Sequence, residues 1–368
     1  MTNPHRGVIH KTRKEMKPQM ATIHDVANQA GVAISTVSNI INGTRYVSPE
    51  TTEKVLAVIE ELGYETDPIA RSMKSGSTRM IGMIITSFKR VFFASLISRC
   101  REIALEKGYT LMCVETNDDV ELEKYYINIM KNNRFDAIIL NSVAEPDDEA
   151  YYGSICKLFI HGKHIPIACI EHDLTHYGLD SVEADNFDGA VSAVDHLASL
   201  GCKRIVHITG PTNSWPAERR VLGFSQAIAK YDNIEHKIIF GDFSPKSGYD
   251  AINCILAKEG ALHFDAVFAS NDQMAVGAMK ALTQAGIHIP DEVKLIGFDD
   301  SFVTSLIDPP LTSVHVSGSH LGTEAMKMVF GRINGDKQPA RCCKTETKLV
   351  IRGSSDAGAS AEDSFSNW

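Results

Sequence analysis

Histidine and cysteine are the residues of this sequence whose side chains support the widest catalytic and metal-binding chemistry. Four histidines lie close together along the chain, at His161, His164, His172 and His176. They do not combine with cysteines or carboxylates at the spacing of a zinc site, so we interpret them as surface and loop residues. The eight cysteines are scattered without a CxxC pair, which favours reduced and mostly buried thiols. We therefore expect no bound metal.

Motifs of the common enzyme classes are also missing from the sequence. It contains no GxxxxGK[ST] phosphate loop, no GxSxG nucleophile elbow and no HExxH pair. We expect no catalytic residue and no cofactor. An enzyme with an α/β core remains an alternative, as does a solute-binding protein.

Length, hydropathy and charge narrow the class of protein further. A chain of 368 residues exceeds one ordinary core, so two or three domains are expected. The sequence has no run of 18 uncharged apolar residues, and its N-terminus lacks the apolar segment of a secretory signal. We therefore expect a cytoplasmic protein without a membrane partner. The net charge of -9 gives no indication of nucleic acid, so that argument must come from pattern.

The elements between residues 20 and 63 are predicted to be three short helices. Thr22 and Asp25 resemble a capping box at the start of the first helix, with Asp where Glu or Gln is usual. Gly31 forms the turn to the second helix, and Ser48 followed by Pro49 starts the third. Two helices joined by a glycine turn and braced by a third predict a helix-turn-helix. A small helical bundle without a role on DNA is the alternative.

The rest of the chain alternates between predicted strands and amphipathic helices. Residues 69–75, between Asp67-Pro68 and Gly76, are too few for a stable isolated helix and fit a hinge. Candidate strands lie at 80–86, 109–114, 136–140, 166–170, 204–209, 237–240, 265–269 and 293–298. Helices lie between them, for example at 93–107, 121–132, 187–200, 247–258 and 272–285. This pattern predicts two doubly wound parallel-sheet subdomains, with a ligand at the carboxyl ends of the strands.

Two long blocks of the sequence resemble the LacI/GalR family of transcription regulators. They are MATIHDVANQAGVAISTVSNIINGTRYVSPETTEKVLAVIEELGYETDPIARSMKSG and FASNDQMAVGAMKALTQAGIHIPDEVKLIGFDDSFVTSLIDPPLTSV, and the closing KLVIRGSS matches the family's last strand. The resemblance covers Met20 to about Ser355. It implies an all-α helix-turn-helix headpiece in front of an α/β core like that of periplasmic binding proteins.

The domain boundaries that follow from this resemblance are expectations of the sequence. Residues 1–19 are a basic N-terminal extension, either an arm that attracts phosphates or the product of an upstream start. The other expected segments are the DNA-binding domain at 20–66, the hinge helix and linker at 67–78, the effector-binding and dimerisation core at 79–355, and a tail at 356–368. Within the core we expect an N-subdomain at about 79–184 and 316–344 and a C-subdomain at about 185–315 and 345–355.

The resemblance also implies which residues touch DNA. In the family the second helix reads base edges, here through Ile34, Ser35 and Asn39, with Asn39 suited to adenine and Ile34 to a thymine methyl. Alternatively, Ile34 packs inward. The other DNA-contacting residues implied are Thr22, Thr36, Ser38, Asn42 and Tyr46 and, in the hinge, Arg71, Met73 and Lys74. Ala33 stands where the family usually has a serine cap, so we expect this helix end to be more mobile without DNA.

An effector pocket is implied in the same way. Its expected residues are Phe92, Phe93, Arg220, Phe243, Asn271, Asp272 and Asp299, which suit a sugar through hydroxyl-binding polar groups and apolar ring faces. Asp272 could instead cap a helix beginning at Gln273, and the two phenylalanines at 92 and 93 could be plain core. Purine-binding members differ from this chain at His172, Ser214 and Pro216, which favours a sugar, sugar phosphate or nucleoside.

These expectations together predict a repressor that binds a pseudo-palindromic operator in double-stranded DNA as a homodimer. A sugar-like effector in the cleft between the subdomains would control it. Residues 353–368 contain no Leu, Ile or Val. They therefore cannot form the apolar heptad helix of tetrameric members, and we expect a frayed tail there.

Overall fold

The computed structural model describes residues 21–64, 76–160, 163–259 and 263–359. These residues form two compact units that divide between Thr78 and Arg79. The first unit contains α1 (Ile23–Ala30), α2 (Ile34–Asn42) and α3 (Pro49–Leu62). The helices of the second unit are α4 (Phe93–Glu106), α5 (Val120–Asn132), α6 (Glu149–Ile155), α7 (Asn186–Ser199), α8 (Trp215–Ile228), α9 (Pro245–Glu259), α10 (Asp272–Gln284) and α11 (Gly318–Ile333).

The three helices of the first unit pack around a small apolar core. Val26, Ala30, Val37 and Val55 are fully buried in it. The capping box predicted at Thr22 is present, because its hydroxyl accepts from the backbone N–H of Asp25 while the Asp25 carboxylate accepts from the backbone N–H of Thr22. Each of the three helices ends at a glycine in the left-handed conformation. The helix-turn-helix that the sequence predicts is confirmed.

The strands of the second unit form two six-stranded sheets and one two-stranded antiparallel sheet made of the fourth and fifth strands. The strands are β1 (Met80–Ile85), β2 (Thr110–Glu115), β3 (Ala137–Leu140), β4 (Phe159–Ile160), β5 (Lys163–His164), β6 (Ile167–Ile170), β7 (Asp180–Ala184), β8 (Arg204–Thr209), β9 (Glu235–Phe240), β10 (Ala266–Ala269), β11 (Lys294–Asp299), β12 (Thr312–His315), β13 (Cys342–Thr345) and β14 (Lys348–Val350). The first sheet has the order β13-β7-β6-β3-β1-β2 and is parallel throughout. The second has the order β14-β12-β11-β10-β8-β9, with only β14 antiparallel.

Both sheets are doubly wound, so each has a point at which the strand order reverses. In the first sheet the chain moves from β1 to β2 on one side and then to β3 on the other. In the second sheet β8 has β9 on one side and β10 on the other. The loops after the strands diverge at such a point and leave a crevice outside their carboxyl ends. The fold therefore supplies a crevice at the position where the sequence pattern predicts a ligand.

The chain passes between the two sheet subdomains three times within the described residues. It crosses after β7, after β12 and between β13 and β14. The first and last crossings are bonded to each other, since the backbone N–H of Asp185 donates to the carbonyl of Thr345 at 2.8 Å. Lys344 adds an ion pair with the Asp185 carboxylate at 3.0 Å. These two crossings therefore lie side by side.

Residues 353–359 correct the prediction of a frayed tail that begins at Gly353. Ser354 and Ser355 are buried, although they are small and polar. The Ser354 hydroxyl donates to the carbonyl of Leu295, and the Ser355 hydroxyl is bonded to that of Thr312 at 2.7 Å. These bonds hold the segment against the second sheet without any large apolar side chain.

No helix in the described ranges has the combined length and apolarity needed to cross a membrane.

Candidate DNA-reading helix and ligand cavity

The exposed side of α2 carries the residues that the sequence analysis assigned to base reading. Ile34 is 39% exposed and Ser35 is exposed, whereas Val37 on the opposite side is fully buried. Asn39 is half-buried, and its side-chain oxygen accepts a hydrogen bond from the Thr44 hydroxyl at 2.9 Å. The alternative that Ile34 packs inward does not fit this geometry. The helix therefore presents one apolar and two polar side chains on a single outer side.

Other predicted DNA contacts surround this helix or lie outside the described residues. Thr36 and Ser38 are half-buried on α2, and Tyr46 beyond its end is 89% exposed. The hydroxyl of Thr22 is engaged with Asp25 in the capping box. Ala33 makes no side-chain cap, as its residue type requires. The described side chains do not include that of Asn42, and Arg71, Met73 and Lys74 fall outside the described residues.

A cavity of about 780 Å³, part of it open solvent, lies between the two sheet subdomains. Its polar lining comes from the carboxyl ends of the strands: Thr86 follows β1, Asn141 follows β3, Glu171 follows β6, Asn271 follows β10, and Asp299 ends β11. Six of the seven residues predicted for an effector pocket line it, namely Phe92, Phe93, Arg220, Phe243, Asn271 and Asp299.

Arg220 is held in the cavity wall by several contacts. It lies on α8 and is only 3% exposed. Its Nε donates to the Asn186 side-chain oxygen at 2.8 Å, Nη1 donates to the carbonyl of Ser270, and Nη2 contacts the Asp299 carboxylate at 3.4 Å. The guanidinium carbon also lies 3.8 Å from the centre of the Phe298 ring. Arg220 thus fixes the position of Asp299 and joins α7, α8 and two strand ends.

Asp272 does not reach the cavity, and its assignment to the effector pocket is wrong. The residue is 1% exposed, and its carboxylate accepts from the Ser301 backbone N–H, the Ser301 hydroxyl and the Ser313 hydroxyl. It does not cap a helix beginning at Gln273 either, because α10 begins at Asp272 itself. The cap is Asn271, whose side-chain oxygen accepts from the Met274 N–H at 2.8 Å. The Asn271 amide donates to the carbonyl of Phe243, which fixes it at the cavity edge.

Asp272 is one of three buried carboxyl groups in this region, and the others are Asp299 and Glu171. Burial raises the pKa of Asp272 and of Asp299, and repulsion between the two carboxylates adds to the rise for Asp272. Arg220 opposes the shift for Asp299. Burial also raises the pKa of Glu171 to about 7, again against the attraction of Arg220. Such shifts concentrate at functional sites.

The aromatic lining includes residues that the sequence analysis named and others that it did not. Phe92 and Phe93 meet edge to face with ring centres 5.3 Å apart, and Phe93 is also part of the apolar core. The Arg90 guanidinium lies 5.1 Å from the centre of the Phe243 ring. Trp215 stacks on His172 at 4.7 Å and donates to the Glu183 carboxylate at 2.9 Å.

His172 corrects the interpretation of the four histidines as surface and loop residues. It is buried, and burial lowers its pKa to about 4, so the ring is neutral at physiological pH. His164 is exposed, and His161 lies outside the described residues. No cluster of metal-binding side chains occurs among the residues that the structure describes. The sequence analysis named His172 only as a position that differs from purine-binding members. Arg90, Glu171 and Trp215 are among the lining residues that it did not name.

Comparison with known proteins matches the two units of the chain to two different family models. A family model described as bacterial regulatory proteins, lacI family, matches residues 22–67, and one described as a periplasmic binding protein-like domain matches residues 194–355. The HTH-type transcriptional repressor PurR of Mannheimia succiniciproducens is 33% identical over 338 residues, which cover 91% of this chain and 98% of that protein.

Solved structures with the same fold include complexes with DNA and with sugars. The lac repressor dimer bound to operator and the anti-inducer ONPF matches with a TM-score of 0.82 at 25% identity, covering 91% of this chain and 99% of that one. The complex of the transcriptional regulator CelR with cellobiose matches with a TM-score of 0.65 at 26% identity, with the same coverage. From the full-length match, the two family models and the helix-turn-helix, it follows that the chain belongs to the LacI family of bacterial regulatory proteins and is a DNA-binding transcriptional regulator.

Proposed function

We propose that this regulator represses transcription by binding a pseudo-palindromic operator as a homodimer, and that a polyhydroxylated small molecule in the cavity controls its affinity for DNA. The observation that carries the proposal is the pairing of an exposed reading helix, α2, with a polar cavity at the strand ends of the core. The lac repressor structure holds operator and ligand together, and the CelR structure holds a disaccharide, which supports both halves. Selection of sites from random DNA by the full chain should return a sequence with two-fold symmetry.

On the DNA side, we assign base reading to Ile34, Ser35 and Asn39. The Asn39 amide can pair with the N6 and N7 edge of adenine, and its contact with Thr44 orients it. Thr36, Ser38 and Tyr46 would contact phosphates, which sets the register without reading sequence.

We expect Asn39→Ala to relax base preference at one symmetric position of the operator. A good bidentate base contact is worth about 1–3 kcal/mol of discrimination, and alanine can make none. Gel-shift titration against operators with each base at that position measures the change. The matched control is Asn28→Ala, an exposed asparagine on α1, which should keep the wild-type preference. If Asn39→Ala weakens binding to every operator equally, Asn39 holds phosphate instead.

On the ligand side, we propose that the effector changes the closure of the cleft. Contacts already bridge the subdomains beside the cavity: the Gln273 amide donates to the carbonyl of Lys89 at 3.1 Å and accepts from the N–H of Val91 at 3.2 Å. Trp215 and Glu183 make a second bridge. A ligand between them alters the free energy of closure, and any resulting change in operator affinity must act equally on ligand affinity.

The oligomeric state gives a separate expectation. Sedimentation of the full chain should show a dimer, since the sequence after Gly353 lacks the apolar heptads that assemble tetramers. A dimer also matches two headpieces to two half-sites. A species of four chains whose mass does not change on dilution would contradict this, and a monomer on operator DNA would contradict the pseudo-palindrome.

A further inference from the structure

The cavity wall holds more negative than positive charge. Its ionisable carboxyl residues are Asp118, Glu171 and Asp299, and its guanidinium residues are Arg90 and Arg220. His172 also lines it but is neutral at physiological pH because burial lowers its pKa. When all three carboxyl groups are ionised, the lining carries one excess negative charge. Burial raises the pKa of Glu171 and of Asp299 to about 7, so a cation bound in the cavity would favour this ionised state over the protonated one.

Both guanidinium groups are already committed to partners other than Glu171. Arg90 donates two hydrogen bonds to the Asp118 carboxylate, at 2.8 and 3.0 Å, and a third to the Thr86 hydroxyl at 2.7 Å. Arg220 uses its donors on Asn186, Ser270 and Asp299. Pairing within the wall therefore leaves Glu171 as the carboxyl group without a direct cationic partner.

The Glu171 side chain is placed for contact with a ligand. It is 6% exposed, and its Oε1 atom is buried and has no hydrogen-bond partner among the residues that the structure describes. The residue follows β6 and has a φ of +66°, a left-handed conformation that side chains other than glycine, asparagine and aspartate rarely adopt. Its neighbours Glu183 and Asp299 add negative potential, while Arg220 is the nearby cation. A buried carboxylate oxygen in this state is costly unless a donor arrives.

We propose that the effector presents a protonated amine to the Glu171 carboxylate and is therefore a cationic polyhydroxylated molecule, such as an amino sugar. The proposal rests on the proposed function of this cavity as the effector site. An ammonium group cancels the excess charge and gives Oε1 a charge-assisted hydrogen bond. An anionic sugar phosphate would meet repulsion, and a neutral sugar would leave the charge uncompensated.

The test uses matched pairs of sugars at neutral pH. The probes are D-glucosamine with D-glucose, D-galactosamine with D-galactose, D-mannosamine with D-mannose, and glucose 6-phosphate, measured by calorimetry and thermal shift on the full chain. At least one amino sugar should bind about tenfold or more tightly than its neutral counterpart. Glu171→Gln should remove this preference, since the amide is uncharged. Glu235→Gln, an exposed glutamate on β9 that does not line the cavity, is the matched control and should keep it.

Three results would overturn the proposal. They are tighter binding of a neutral or phosphorylated sugar than of every amino sugar, an unchanged preference in Glu171→Gln, and no binding of any amino sugar. A gel shift on the operator selected from random DNA distinguishes an error in the amine assignment from an error in the proposed function. If a neutral ligand alters operator binding, the cavity regulates but the amine assignment is wrong. If the wild type binds no operator specifically, the proposed function itself is wrong.

Discussion

Arg220→Met should lower the free energy of unfolding by about 3–5 kcal/mol, the range measured when one partner of a buried ion pair is removed. The substitution keeps apolar volume but removes the guanidinium that pairs directly with Asp299 and offsets its repulsion with Asp272. It also leaves the side-chain oxygen of Asn186 and the carbonyl of Ser270 without their donor. Urea denaturation of the full chain measures the loss. In gel shifts, operator binding should persist at temperatures where the variant is folded, but it should no longer respond to effector.

The double variant Arg220→Met with Asp299→Asn distinguishes the stability lost through the unpaired Asp299 charge from the stability lost through altered packing. Removing the unpaired carboxylate should recover part of the lost stability. It should restore none of the effector response, because both of the groups proposed to bind the ligand are then absent. Lys230→Ala, which removes an exposed ion pair with Asp195, is the surface control and should cost about 1 kcal/mol or less. If Arg220→Met keeps the full effector response, the ligand binds elsewhere.

Glu171→Gln should stabilise the ligand-free protein at alkaline pH. The pKa of Glu171 is raised from 4.5 to about 7 by burial, so between these values the folded state binds a proton that the unfolded state has released. The stabilisation from that proton is complete below pH 4.5 and is lost as the pH rises through 7. Glutamine cannot titrate. At pH 8 the free energy of unfolding of the variant should therefore exceed that of the wild type by up to about 3 kcal/mol. At pH 4.5 the two free energies of unfolding should be nearly equal.

Denaturant titrations at both pH values, without sugar, measure this difference. Glu235→Gln, an exposed glutamate on β9, is the matched control and should follow the wild type at both values. An equal effect of Glu171→Gln at pH 4.5 and pH 8 would show that the carboxyl group is paired after all. The variant that gains stability at pH 8 is also the one expected to lose preference for amino sugars, so folding and binding should change in opposite directions.

Much of the fold was predictable because buried parallel strands are apolar along their whole length. Met80–Ile85 and Ala266–Ala269 are covered on both faces, and their apolar runs set their bounds to within one residue. The strands β7, β12 and β13 were not predicted from pattern. Their sequences DSVEA, TSVH and CCKT are short and polar, and pairing with distant segments, such as Cys342 with Ser181, makes them strands.

The candidate site was predictable where a residue type and a strand end coincide, as for Asp299. Glu171 directly follows the predicted strand 166–170, so the rule for carboxyl ends could have found it. Trp215 had no such signal, because its partner His172 lies on the other subdomain. Asp272 was misassigned because neighbouring residues at a helix start point in directions about 100° apart. Asn271 therefore faces the cavity while Asp272 faces Ser301 and Ser313.

The two side-by-side crossings, after β7 and between β13 and β14, have a mechanical consequence. Two rigid bodies joined by adjacent, mutually bonded strands of backbone can rotate about the line of those joints far more easily than they can slide or twist apart. The cleft therefore has one soft coordinate, its opening angle. Every ligand, whatever its chemistry, therefore acts by favouring a particular opening angle. Two dissimilar molecules that set the same angle should give the same regulatory signal, and a tightly bound molecule that leaves the angle unchanged should give none.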